Sequence, residues 1–145
     1  MHAYGLTVTA PPAWDVRIYR RPAQAEAPTF PVIHAATFAL PARRGDFGSG
    51  AVELMRPSDV LVVLFEYDAA SAATALFARS GMPRARAEDF SPRALQRTLR
   101  GQSGVQYFFH EAARAFCLYI VLGSHARRRS LVRTANQLVA ATAIR

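Results

Sequence analysis

The chain contains no lysine. Its 18 basic side chains are all arginine, against 10 acidic ones, and the formal net charge is +8 over 145 residues. Cysteine is almost as scarce. Cys117 stands alone, so no intramolecular disulfide can form and folding must rest on a hydrophobic core. No apolar run approaches the roughly 20 residues needed to cross a bilayer. The first residues, Met1 to Pro12, lack the basic and apolar blocks of a secretion leader. These absences together predict a cytoplasmic protein with no transmembrane segment.

Chemical signatures are missing too. A phosphate-binding loop needs Gly-x-x-x-x-Gly-Lys-Ser/Thr, and the chain has no lysine to supply it. There is no Gly-x-Ser-x-Gly turn for a nucleophilic serine. His2, His34, His110 and His125 do not fall at metal-ligand spacings. His110 and Glu111 are neighbours, but adjacent residues of a strand point to opposite faces. No catalytic residue, metal ligand or cofactor is therefore assigned, and the pattern favours a non-enzymatic protein over an enzyme.

Hydrophobic side chains make up 51% of the chain. At this length a single domain, residues 1–145, buries about 70% of the surface its unfolded chain exposes. Arginine without lysine, beside abundant alanine, is the codon signature of a GC-rich genome. The arginine count alone is therefore a weak pointer to nucleic acid, although the positive charge attracts anions of every kind.

Alternating apolar and polar residues predict strands at Gly5–Thr9 and Asp15–Arg20. Trp14 belongs to the core beside the first of them. Val32–Leu40 reads as a strand that pairs with Ala51–Met55 across a glycine-rich hairpin tip, residues 43–50. Val60–Tyr67 is continuously apolar and rich in β-branched residues, as a strand buried on both faces is. Asp68 caps an expected helix over Ala69–Arg79, with Gly81 beyond its end. Ser91–Leu99 suggests a short second helix with Pro92 at its first position. Val105–His110 and Ala115–Leu122 form a tight strand pair, in which Cys117 is a buried thiol and Tyr107, Phe109, Phe116 and Tyr119 are core aromatics. An amphipathic helix from about Ala126 to Thr142 places Leu131, Val132, Ala135, Leu138 and Val139 on one face. The fold class is therefore α+β: a mainly antiparallel sheet of about six to seven strands, flanked by helices, with a long C-terminal amphipathic helix packed on it.

The opening Gly5-Leu6, Val8, Pro11 and Trp14, together with Asn136 ahead of an apolar end at Leu138–Ile144, resembles small bacterial PsbP-like proteins. That resemblance implies an antiparallel sheet between helices, and a binding or assembly factor rather than an enzyme. It covers the two ends of the chain and carries over no functional residue.

Two functional readings follow. The first is a small non-enzymatic interaction or assembly protein. It would bind a protein partner, or a second copy of itself, through its sheet face or a groove beside the C-terminal helix. The second is an anion-binding module for nucleic acid or a phosphorylated ligand. It would use Arg127, Arg128, Arg129 and Arg133 near the start of the last helix, with Arg43 and Arg44 of the glycine-rich tip. Clustering of these arginines on one face distinguishes the second reading from the first.

Overall fold

A computed structural model describes residues 1–23 and 25–145. Its elements run β1 (His2–Ala3), β2 (Leu6–Val8), β3 (Asp15–Arg20), β4 (Pro31–Ala36), β5 (Val60–Tyr67), β6 (Ser103–Glu111), β7 (Arg114–Leu122), α1 (Arg128–Ala140) and β8 (Thr142–Ile144). The fold is α+β. The expected single sheet is instead two antiparallel sheets, one of three strands in the order β1-β2-β8 and one of five in the order β3-β4-β5-β7-β6.

The large sheet follows from its two central strands. β5 and β7 carry apolar side chains in both directions, so neither face can be left in water. On one face Val60, Val62, Leu64, Leu118, Ile120 and Leu122 pack with Leu131, Val132, Ala135, Leu138 and Val139 of α1, and with Leu6, Val8 and Ile144 of the small sheet. Trp14 lies half-buried against the same cluster, as the sequence suggests. On the other face Val32, Leu61, Val63, Cys117, Tyr119 and Val121 pack under Leu40, Ala51 and Val52. Each of these buried aliphatic side chains contributes about 1.5–3 kcal/mol.

Three expected elements are corrected. Ala51–Met55 is not a strand; a single 3-10 turn, Val52–Leu54, sits there with Val52 buried. The alanine-rich helix is reduced to two 3-10 turns, Ala69–Ala73 and Ala75–Phe77, although the Ser71 amide does donate to the Asp68 carboxylate at 3.0 Å. That stretch offers Phe77 as its single buried side chain, too little apolar surface to hold an α-helix against the sheet. No helix forms over Ser91–Leu99 either, where the chain runs through turns. The flanking helices are thus reduced to α1, which is shorter than expected because Thr142 continues into β8.

Residues 37–59 and 91–102 cover the second face without α-helix or strand. Gly48 shows how closely they lie. It has a φ of +90°, and a Cβ there would meet Leu61 Cδ2 at 2.5 Å. The expected glycine-rich hairpin tip is therefore a packed layer. With α1 on one side and this layer on the other, the central strands of the large sheet present no open face.

Candidate functional site

The surface beside α1 contains a groove of about 630 Å³, lined by Met82, Pro83, Arg84, Arg133, Asn136, Gln137, Val139, Ala140 and Thr142. Its construction follows from Asn136. That side chain accepts from the Ala85 amide at 2.9 Å and donates to the Ala85 carbonyl at 2.9 Å. The two bonds satisfy the Ala85 backbone completely and hold residues 82–85 alongside the helix as the second wall. The floor is apolar, formed by Met82, Pro83, Val139 and Ala140. Arg84 and Arg133 are exposed at its margin and enter no salt bridge among the described residues. No carboxylate lines it.

The six arginines singled out in the sequence divide into two groups. Arg127, Arg129 and Arg133 are exposed on α1 or at its start, and Arg128 is half-buried, donating to the His125 carbonyl at 3.1 Å. Arg43 and Arg44 lie in the irregular layer on the opposite side of the large sheet. Arg44 is engaged internally: its Nε donates to His34 Nδ1 at 2.9 Å, and its Nη1 donates to the Pro41 carbonyl. The two groups cannot contact one ligand across the sheet. Arg133 alone of the six reaches the groove.

A second polar cluster was not anticipated. His34 is 0% exposed, in the middle of β4. Its Nε2 lies 2.8 Å from the Asp46 carbonyl, which can only accept, and its Nδ1 faces the Arg44 Nε, which can only donate. These partners make His34 neutral with the proton on Nε2. The Asp46 carboxylate accepts from the Tyr19 hydroxyl at 2.8 Å and from Arg21 Nε at 2.7 Å, and Arg21 donates again to the Arg44 carbonyl at 2.8 Å. Burial, reinforced by the Arg44 charge, lowers the His34 pKa to about 4. Burial and the Asp46 carboxylate raise that of Tyr19. Every polar atom of the imidazole is occupied, so the cluster is a fastening for the layer above it and has no free base to offer. One signal for it existed in the sequence: a histidine sharing a strand face with Val32 and Ala36 must find partners, and Arg44 and Asp46 follow soon after.

His110 and His125 are each tied to the fold through Nδ1. His110 Nδ1 lies 2.6 Å from the Phe77 carbonyl and so donates to it. Ser103 Oγ lies 2.7 Å from His125 Nδ1, but Ser103 is wholly buried and no carboxylate bonds His125 among the described residues. That pair joins the start of β6 to the entry of α1. Burial pushes the Cys117 thiol up to about 12, which leaves it unreactive. Phe109, Phe116 and Tyr119 are fully buried, so they offer no stacking surface for bases. Among the described residues no group of three His, Cys, Asp or Glu side chains could hold a metal ion, and no helix is long and apolar enough to cross a membrane.

No protein family, curated protein or solved structure matches this chain. The groove and its charges therefore carry the functional argument by themselves.

Proposed function

We propose that the protein is a non-enzymatic interaction or assembly module that receives an acidic, partly apolar protein segment in the groove beside α1. One observation carries this reading: an apolar floor between two arginines that enter no salt bridge among the described residues, with no carboxylate in the lining. Apolar surface rimmed by charge suits a partner that is desolvated in its middle and anionic at its edge. The net charge of +8 favours the encounter at long range. The resemblance of both chain ends to PsbP-like binding and assembly factors agrees with it. The coverage of both faces of the large sheet favours the groove over a sheet face as the docking surface.

The test places a photo-crosslinking amino acid at Gln137, on the groove wall, in native lysate with and without nuclease. The expected result is a discrete crosslinked polypeptide, lost when Arg84→Glu and Arg133→Glu are combined in a protein of unchanged melting temperature. A crosslink that persists in the charge-reversed variant would overturn the assignment. A crosslink that disappears with nuclease would identify the ligand as nucleic acid, and would put the anion-binding reading in its place.

A further inference from the structure

The outer edge of the large sheet at β6 is closed at both ends and open in the middle. Glu111 and Arg114 form the last pair of the β6–β7 hairpin, across a two-residue turn. In an antiparallel ladder such a closing pair is hydrogen-bonded, and bonding alternates from there. Phe109, Tyr107, Val105 and Ser103 therefore bond to β7, and Gly104, Gln106, Phe108 and His110 turn their backbone groups outward.

The end positions confirm this phase. The His110 amide donates to the Arg79 carbonyl at 2.8 Å, and its carbonyl accepts from the Gly81 amide at 2.8 Å. Gly104 exchanges two bonds of 3.0 Å with Ser91. Glycine is required at that contact, because a Cβ on Gly104 would stand 2.7 Å from the Ala94 carbonyl oxygen. Between these anchors the chain leaves the edge. Residues 82–90 pass over the α1 side of the sheet, where Ala85 and Phe90 are buried in its core. Gln106 and Phe108 are left with no backbone partner among the described residues. A hollow of about 470 Å³ runs beside them, lined by Asp89, Arg93, Ala94, Leu95, Gln96, Val105, Gln106 and Phe108.

We propose that this gap receives a short extended peptide with acidic flanks, which adds a strand to the sheet through the backbone groups of Gln106 and Phe108. Strand addition supplies main-chain bonds for affinity and pockets for alternate side chains. The flanking stretches at Arg79–Gly81 and Ser91 already hold the next strand position on each side. A second copy of β6 would bring its own flanks into those places, so the opening admits one slender chain and excludes another sheet edge. Charge selects the occupant. Arg86 and Glu88 pair with each other at 2.5 Å, and Asp89 accepts the Tyr107 hydroxyl at 2.7 Å. Arg79, whose guanidinium lies 5.6 Å from the centre of the Tyr107 ring, and Arg93 in the wall enter no salt bridge among the described residues. The Tyr107 phenol leaves the Asp89 charge in place, so two arginines outside any salt bridge among the described residues face one carboxylate, and the balance at the opening is positive. Alternate side chains of the peptide would enter the hollow against Ala94, Leu95 and Phe108, which suits small apolar residues between acidic ends.

The experiment is a titration of ¹⁵N-labelled protein with the peptide Glu-Asp-Val-Thr-Val-Asp-Glu, read by amide shifts and hydrogen exchange. The expected result is movement of the Gln106 and Phe108 amides and exchange slowed at least about tenfold there. Gln106→Pro removes an outward donor while sparing the β6–β7 ladder, a position where an edge strand tolerates proline. It should abolish the response in a folded protein, and equal binding by this variant would overturn the proposal. Should Gln106→Pro not fold, Arg79→Glu with Arg93→Glu decides instead: loss of binding supports the site and unchanged binding sinks it. Shifts confined to Arg133, Gln137 and Val139 would place acidic peptides in the groove beside α1, refuting the edge site while leaving the earlier reading intact. Broadening that grows with protein concentration without peptide would assign the edge to a second copy and refute the proposal as well.

Discussion

The two sides of the large sheet are covered by different physics. On one side α1 and the three-stranded sheet meet it through aliphatic side chains at helical and strand spacing. On the other, two long irregular stretches are held down by hydrogen bonds as much as by burial. His34 and Tyr19 anchor Asp46, the Tyr119 hydroxyl accepts from the Gln96 amide at 2.8 Å, and Gln102 donates to the Val52 carbonyl at 2.7 Å. A helix satisfies its own backbone and needs only a fitting apolar face. An irregular layer must find partners for its backbone in the core beneath it, which places polar side chains where a helix-covered face has none.

The sharpest exception lies on the regular side. Arg114 donates to Glu66 at 2.9 and 2.5 Å, to the Tyr4 carbonyl at 3.1 Å and to the Arg145 carbonyl at 2.8 Å, so one guanidinium ties the large sheet to the small one. The two side chains are only 18% and 11% exposed. Removing the cation leaves Glu66 buried without compensation. Arg114→Met should lower stability by about 3–5 kcal/mol in denaturant unfolding at neutral pH. A loss no larger than that of an exposed arginine would show the pair to be dispensable.

The next effect belongs to the irregular side. His34 has a folded pKa of about 4, below its ordinary 6.5, so the unfolded chain binds the proton more readily. Its contribution is complete above about pH 6.5 and is lost as pH falls toward 4, amounting to roughly 3 kcal/mol by linkage. Protonation would also set an imidazolium against the Arg44 guanidinium. His34→Gln should be less stable at pH 7 and show a shallower acid limb. Parallel pH curves for the two proteins would exclude His34 as the titrating group.

Asp46→Ala should act more locally. Loss of the Tyr19 and Arg21 bonds is worth about 1–3 kcal/mol, concentrated in residues 40–52. Hydrogen exchange should speed up there and stay unchanged in α1. Uniform acceleration across the chain would mean that the layer and the helix open as one unit, and would erase the contrast between the two sides.

The smallest change tests the frame shared by both sides. Ala112 and Ala113 form the β6–β7 turn with φ of 53° and 60°, a left-handed conformation that costs a non-glycine residue about 1–2 kcal/mol. Ala112→Asn with Ala113→Gly supplies the preferred residues of such a turn and should raise stability by about 1 kcal/mol. No gain in melting temperature would mean that the strain is absorbed elsewhere in the hairpin.

Legibility in the sequence followed the same division. Val60–Tyr67, Val105–His110 and Ala115–Leu122 were readable because long apolar, β-branched runs leave few alternatives to central strands. The apolar stripe of α1 was readable for a related reason. Ala69–Arg79 forms no α-helix because its alanines leave little apolar surface to pack, and Ala51–Met55 forms no strand because local propensity yields to whatever surface the sheet leaves bare. Of the groove, Arg133 is legible in the sequence as part of the arginine-rich helix start, while nothing local marks Arg84. Nothing local signals that Asn136 reaches Ala85, 51 residues away, to build the second wall.

Composition and periodicity by themselves determined an α+β chain whose central strands are buried on both faces and whose last helix packs by its apolar stripe. These properties depend on how each residue partitions between water and a core, which is local information. Tertiary structure alone decided the split into two sheets, the polar fastening at His34, the separation of the arginines onto opposite sides, and the gap at the β6 edge. Each of those depends on which distant groups meet, and a buried donor or an unpaired strand edge is defined only by the neighbours the fold supplies.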